Sequence, residues 1–261
     1  MVRRIAAFLL GGLARLLSWL PLPVALACGR GVGALLSLSI GTTVARRIDA
    51  ALPGRGRRLA RAALAELGMN LCEFMRVPYR PREVGRVELR GLEHLPAGGA
   101  VLLAGHYGNF ELMGWALGQT DHKLVTLVPQ PTDPLTYFVD RHRQVYGFRF
   151  IHIESSVRGR ARAFLQAVRL IEEGYIVSFM ADTGWSPGLE VEVLGRRRWF
   201  DLGGELMAQR TQRPVVASFI TRTPRGHLVE ILPLPPHEPT KAFAQMLDER
   251  VQARPEQFYW T

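Results

Sequence analysis

The chain has 261 residues, 48% of them apolar, and a net charge of +10. That length sustains one sizeable core with a smaller appendage, and that apolar share excludes a disordered tail. The charge is unevenly placed: residues 1–80 carry 12 Arg against three acids (Asp49, Glu66, Glu73), whereas residues 81–261 carry 21 Lys plus Arg against 20 acids.

A nucleic-acid binder should carry its positive stripe on the folded domain, so no nucleic-acid partner is expected. A basic first third suits a segment lying on an anionic membrane surface. General arginine-rich usage, with only two Lys in the chain, is the plainer account of the total. Cys28 and Cys72 have no metal-ligand or redox spacing. Each reads as a small core residue, and no disulfide is expected.

In chain order, Ile5 to Leu20 is apolar apart from Arg15 and Ser18, and Pro21 and Pro23 interrupt it. Val24 to Leu38 is a second apolar run, broken by Arg30. Neither is a clean run of about 20 apolar residues, so an interfacial or embedded anchor is favoured over a transmembrane helix, a signal peptide or an ordinary soluble helix pair. Gly29-x-Gly31-x-Gly33 has no strand before it and reads as helix packing, not a dinucleotide fingerprint. Helices are expected over about 3–20, 24–40 and 56–75.

After Pro78 and Pro81 the texture changes. Strands are expected at 87–90, 100–105, 124–128, 148–153, 175–181, 189–194, 215–220 and 228–232. Helices are expected between them at 109–119, 133–146, 157–173, 203–212 and 239–253; Phe164, Val168 and Ile171, for example, recur on one helical face. This alternation predicts an α/β fold, a mixed, largely parallel sheet flanked by helices. The division expected is a helical, membrane-associated region over 1–80 and an α/β catalytic domain over 81–261.

The stretch GGAVLLAGHYGNFELMGWALG (98–118) puts His106 at the end of a buried strand, Asn109 at a helix N-cap, and Glu111 in the first helical turn. Ligand chemistry in open α/β sheets collects at such strand ends. On one helix, five residues would separate His106 and Glu111 by about 140°. With His106 in the turn, Glu111 can fold back to orient the imidazole, making a general base without a protein nucleophile. The plainer reading is a packed or capping His, with Glu111 complementing the helix dipole.

Gly184-Trp185-Ser186-Pro187-Gly188 spells G-x-S-x-G, but a strand-like segment follows it where a nucleophile elbow needs a helix. Arg141, His142 and Arg143 form either a solvated face or an oxyanion site. Asp182 ends an apolar strand as a lone acid. Arg196, Arg197 and Arg198 follow Gly195 on an expected hairpin, as an exposed loop or an electropositive patch.

Together these segments resemble the bacterial lipid A late acyltransferases, over roughly residues 15–261. GLEHLPAGGAVLLAGHYGNFEL (91–112) is similar to that family's His-x4-acid block, here His106 and Glu111. DPL (133–135) with Arg141, Arg143 and Gly147 resembles its Asn-Pro-Leu…Arg…Gly block, with Asp133 replacing Asn. FMADTGW (179–185) matches at Asp182 and departs at Thr183; RPVVASF (213–219) and RPEQFYW (254–260) complete the pattern.

The resemblance implies a glycerolipid-acyltransferase-like fold and an inner-membrane enzyme with its catalytic domain on the cytoplasmic side. It implies acyl transfer from acyl carrier protein to a lipid A precursor, His106 as base with Glu111 as partner, and roles for Arg143 and Asp182. Asn109, Arg141 and Arg196–Arg198 are candidate substrate contacts. Backbone N–H groups near Gly108-Asn109, or Arg143, are candidate oxyanion donors. Acyl transfer from a thioester needs no metal and no redox cofactor, and none is expected. Another glycolipid or glycerolipid acceptor, a Ser186 hydrolase and a non-catalytic membrane lipid binder remain the alternatives.

Overall fold

In the computed structural model, residues 2–82, 86–183 and 188–260 are described, and side chains from Leu9 onward. Four helices come first: α1 (Val2–Trp19), α2 (Leu22–Ser39), α3 (Gly41–Ala51) and α4 (Gly56–Arg76). β1 (Arg86–Arg90), β2 (Ala100–Ala104), α5 (Phe110–Gly118), β3 (Leu124–Pro129), α6 (Pro134–Arg143) and β4 (Arg149–Ile153) follow. Then come α7 (Val157–Glu172), β5 (Ile176–Met180), β6 (Gly188–Val193), β7 (Arg196–Asp201), α8 (Gly203–Thr211), β8 (Val215–Thr223), β9 (Gly226–Pro233) and α9 (Pro239–Ala253).

Seven strands form one sheet in the order β1-β9-β8-β2-β5-β3-β4, parallel at every pairing except β8 with β9. β6 and β7 form a separate antiparallel hairpin. The fold is therefore α/β with a mostly parallel sheet, as the strand–helix alternation predicts. All five residues of β2, AVLLA, are buried, as a central parallel strand covered on both faces requires. Val101 and Leu103 enter one core with α7, α8 and α9, whereas Ala100, Leu102 and Ala104 enter the other with α1, α5 and α6. α4 joins both, through Leu64 on one side and Phe74 and Met75 on the other. Each fully buried aliphatic side chain in these layers contributes roughly 1.5–3 kcal/mol.

Local signals account for the element starts. Asn109 Oδ1 accepts the Leu112 N–H at the head of α5, and Ser156 Oγ accepts the Gly159 N–H at the head of α7. Asp133 and Thr136 form a capping box on α6.

Three expectations need correction. Residues 41–51, left without an element, are helical: Thr42, Thr43, Val44 and Ile48 are poor helix formers, but burial of Val44, Ala45, Ile48 and Ala51 outweighs propensity. Arg196–Asp201, expected only as part of a hairpin, is a full strand behind a Leu194-Gly195 turn with both φ positive. Cys28 is exposed rather than core, while Cys72 is buried, and both are free.

α2 packs on α4 at near-backbone contact. A Cβ on Gly33 would lie 2.0 Å from the Leu64 carbonyl oxygen, and one on Gly68 2.0 Å from that of Gly29. The glycines are helix packing, as their setting suggests; Gly31 faces open space. The opposite faces are apolar and uncovered: Leu9, Leu13, Leu16 and Trp19 on α1, Val32, Leu35 and Leu38 on α2. Such contiguous exposure marks an interaction surface. α2, with 18 residues and mean hydropathy 1.5, is long and apolar enough to cross a membrane.

Candidate active site

β2 and β5 are adjacent and parallel, with Ala104 opposite Met180. Each strand is followed by one small residue and then a titratable one: AVLLA-Gly105-His106 and IVSFM-Ala181-Asp182. The shared register therefore brings His106 and Asp182 together. Asp182 Oδ1 lies 2.8 Å from His106 Nδ1, and Asp182 Oδ2 accepts the His106 backbone N–H at 2.8 Å. The carboxylate is nearly buried and the imidazole is 30% exposed. With Nδ1 engaged by Asp182, the neutral ring carries its proton there and leaves Nε2 as the free base.

The partner expected for His106 was Glu111, and the geometry corrects that. Glu111 is held bidentately along one edge of the Arg143 guanidinium, Nε at 3.0 Å from Oε2 and Nη2 at Oε1, and it accepts the Tyr146 hydroxyl at 3.2 Å. Burial disfavours the charge on Arg143, but Glu111 outweighs it and holds the guanidinium above its ordinary range. Burial first, and Glu111 second, push the Tyr146 phenol well up, so its hydroxyl stays a donor. Five residues along the chain from His106, Glu111 points to α6, not to the imidazole.

The turn between them is tightly made. Gly108 has φ +63°, and a Cβ there would meet the Ile220 carbonyl oxygen at 1.9 Å. The C-terminal segment clamps the turn: Gly108 N–H donates to the Gln257 carbonyl at 2.8 Å and Tyr259 N–H to the His106 carbonyl at 3.0 Å. The His106 ring lies edge-on to Phe110, with centroids 5.1 Å apart, and 5.9 Å from Tyr259. The RPEQFYW segment is thus part of the site's frame.

A cavity of about 190 Å³ opens beside His106, Glu111 and Arg143 and runs between Gly114, Leu117, Phe148 and Phe150. A second, of about 200 Å³, lies across Phe110 between α4 and residues 256–260. The site sits where two largely apolar recesses meet.

The remaining candidates divide. Asn109 is buried, capping α5 through Oδ1 while Nδ2 donates to Glu73 Oε2 at 2.6 Å, so it supports the turn and is not presented to a ligand. Arg141 is exposed on α6, two residues from Arg143 but on another face. His142 is buried, within 3.2 Å of the Met75 carbonyl, and burial lowers its pKa. Arg196 and Arg197 are exposed, Arg197 pairing with Glu190 at 3.3 Å. Arg198 is half-buried over the Phe258 ring, where burial lowers its pKa and the nearby Asp182 carboxylate opposes that shift. Ser186 lies outside the described residues.

Sequence reasoning passed over a buried ionic cluster behind the turn. Arg222 on β8 pairs with Glu73 through Nη1 at 2.7 Å and Nη2 at 2.8 Å, with Glu66 at 2.8 Å and with Asn70 at 2.7 Å. Burial raises the Glu66 pKa against the pull of Arg222. The signal was present: Glu66, Asn70 and Glu73 recur at i, i+4 and i+7 on α4, and two of them are among the three acids of the first 80 residues.

An oriented imidazole thus stands at the strand ends of an α/β sheet, at the mouth of a largely apolar recess. The model of the bacterial lipid A biosynthesis acyltransferases matches residues 1–261, and the chain belongs to that family. It is thus an acyltransferase whose acceptor is a lipid. No curated protein matches the chain. Among solved structures it is similar to the 1-acyl-sn-glycerophosphate (LPA) acyltransferase PlsC from Thermotoga maritima, at 15% identity over 88% of this chain and 99% of that one, with a TM-score of 0.41.

Proposed function

We propose that the protein transfers a fatty acyl chain from an acyl-carrier-protein thioester to a hydroxyl of a lipid A precursor, at the cytoplasmic face of the inner membrane. The observation that carries the mechanism is the His106–Asp182 pair at the mouth of the apolar cavity. His106 Nε2 takes the acceptor hydroxyl proton as the oxygen attacks the thioester carbonyl. Asp182 holds the ring and stabilises the imidazolium. The tetrahedral intermediate collapses with loss of the carrier thiolate, which takes the proton back from Nε2. Arg143, lining the same cavity and kept in place by Glu111, faces the developing oxyanion. Glu111 is a positioning residue in this scheme.

The cavity past Gly114 holds the acyl chain being transferred, and the recess beside α4 holds apolar parts of the acceptor. The uncovered apolar faces of α1 and α2 rest in the membrane interface, with the arginines of the first third on anionic headgroups. Exposed Arg196 and Arg197 suit an acidic carrier protein.

The test is a transfer assay in detergent, with labelled acyl carrier protein and a panel of acceptors including a Kdo-bearing lipid A precursor, wild type beside His106→Ala. Product with the lipid A precursor, lost in the variant, is expected. Product only with a glycerolipid would overturn the acceptor and keep the mechanism.

A further inference from the structure

Away from His106, a recess of about 430 Å³ lies between the first turns of α2, the C-terminal half of α4 and the β8–β9 turn. Its lining holds Arg30, Arg222, Arg225 and His227 against a single carboxylate, Glu73. Neither Arg30 nor Arg225 meets a carboxylate among the described residues; the Arg30 side chain reaches only the Met69 sulfur, at 3.6 Å. Arg222, by contrast, makes four hydrogen bonds to Glu66, Asn70 and Glu73.

His227 is the second observation. Its side chain is 1% exposed, and neither ring nitrogen has a hydrogen-bond partner. Glu73 Oε2 lies 3.4 Å from Nε2, an ion pair only for a protonated ring, and already accepts from Arg222 and Asn109. Buried polar groups are almost always hydrogen-bonded, so an imidazole with no hydrogen bond on the wall of an arginine-lined recess points to a missing ligand. Two guanidinium groups without a carboxylate partner in one recess favour an oxyanion such as phosphate. Pro23 and Leu26 of apolar α2 form the facing wall, and a phosphate reaching it beside that helix is one carried on a lipid.

We propose that this recess binds the phosphate of a membrane lipid headgroup, with Arg30 and Arg225 as ion-pair partners and His227 as a hydrogen-bond donor from the wall. The site is separate from the His106 cavity and stands without the acyl-transfer scheme. It is also connected to the catalytic turn: the Glu73 carboxylate beside His227 holds Asn109, the cap of α5. An anion arriving at His227 favours the imidazolium, so binding should raise the pKa of a ring that burial holds at about 4.

The experiment uses the full chain in detergent micelles with ring-¹⁵N-labelled histidine, His227→Gln assigning the resonance. The probes are dihexanoyl phosphatidic acid, inorganic phosphate and dihexanoylglycerol. Phosphatidic acid is expected to shift the His227 resonances and raise their titration midpoint, with at least about tenfold weaker binding in Arg30→Ala/Arg225→Ala. Inorganic phosphate binding as tightly would overturn the lipid source. Unmoved His227 resonances in the wild type, or dihexanoylglycerol binding equally well, would overturn the site itself. Acyl transfer is not the readout, so this result is independent of the catalytic reading.

Discussion

One carboxylate grips His106 twice: Asp182 takes its ring Nδ1 at 2.8 Å with one oxygen and its backbone N–H at 2.8 Å with the other. The grip sets both the tautomer and the ring's orientation. Asp182→Asn keeps the shape but loses the charge and the tautomer preference. We expect kcat to fall by about 10²–10⁴, with His106→Ala at least as impaired. Steady-state kinetics with donor and acceptor varied separately checks this; full activity in Asp182→Asn would remove the pair from the mechanism.

Glu111→Gln leaves Arg143 half-buried without its carboxylate. The pair is 17% and 21% exposed, so the loss in stability should be about 1–3 kcal/mol rather than the larger figure for a sealed pair. Thermal unfolding measures it. Activity should drop through a displaced Arg143; unchanged activity would remove Glu111 as its positioning partner. Arg143→Lys should not rescue, because an ammonium cannot reproduce the bidentate contact.

Gly114 faces the apolar cavity, and a Cβ added there reaches only ordinary contact, 3.7 Å from Phe148 and Tyr146. The larger Gly114→Leu side chain should fill the depth a long acyl chain uses. Competition between donors of different length should show a shift to shorter chains, with kcat/KM for the longest falling at least about tenfold. An unchanged chain-length profile would place the acyl group elsewhere.

Burial lowers the pKa of His227 to about 4, and Arg222 adds to the shift while Glu73 opposes it. The unfolded chain then binds the proton first as pH falls. Stability should be lost from about pH 6.5 down to about pH 4, by on the order of 3 kcal/mol, and the contribution is flat below that. Denaturant titrations at several pH values, wild type beside His227→Gln, should show the variant losing less over this window. Equal slopes would refute it.

Gly68→Ala would set a methyl carbon 2.0 Å from the Gly29 carbonyl oxygen. The α2–α4 contact must then open, at a cost of about 1–3 kcal/mol. Faster proteolysis around Pro21 and Pro23 is the readout.

Much of the architecture was legible from local pattern. Period-2 and period-3.6 burial, caps and punctuation by Gly and Pro are properties of short windows, and they located eight of the strands, including β2 with all five residues buried. α3 escaped because its β-branched residues argue against a helix until α4 is there to bury them. His106 and Asp182 were each suspect from their strand ends, but their pairing belongs to a parallel register between segments 76 residues apart.

What the sequence by itself determined, then, is the elements, the basic apolar N-terminus and the residue types at the strand ends. The tertiary structure alone decided which carboxylate serves the imidazole. Glu111 lies near in the chain, but helix geometry turns it toward Arg143 and Tyr146; Asp182 lies far off, and adjacent parallel strands of matching length deliver it. The same holds for Arg222, which meets Glu66, Asn70 and Glu73 across roughly 150 positions because one face of α4 packs on the end of β8. Neighbourhood along a chain follows local dihedrals, whereas neighbourhood in space follows sheet register and helix docking, which no short window contains.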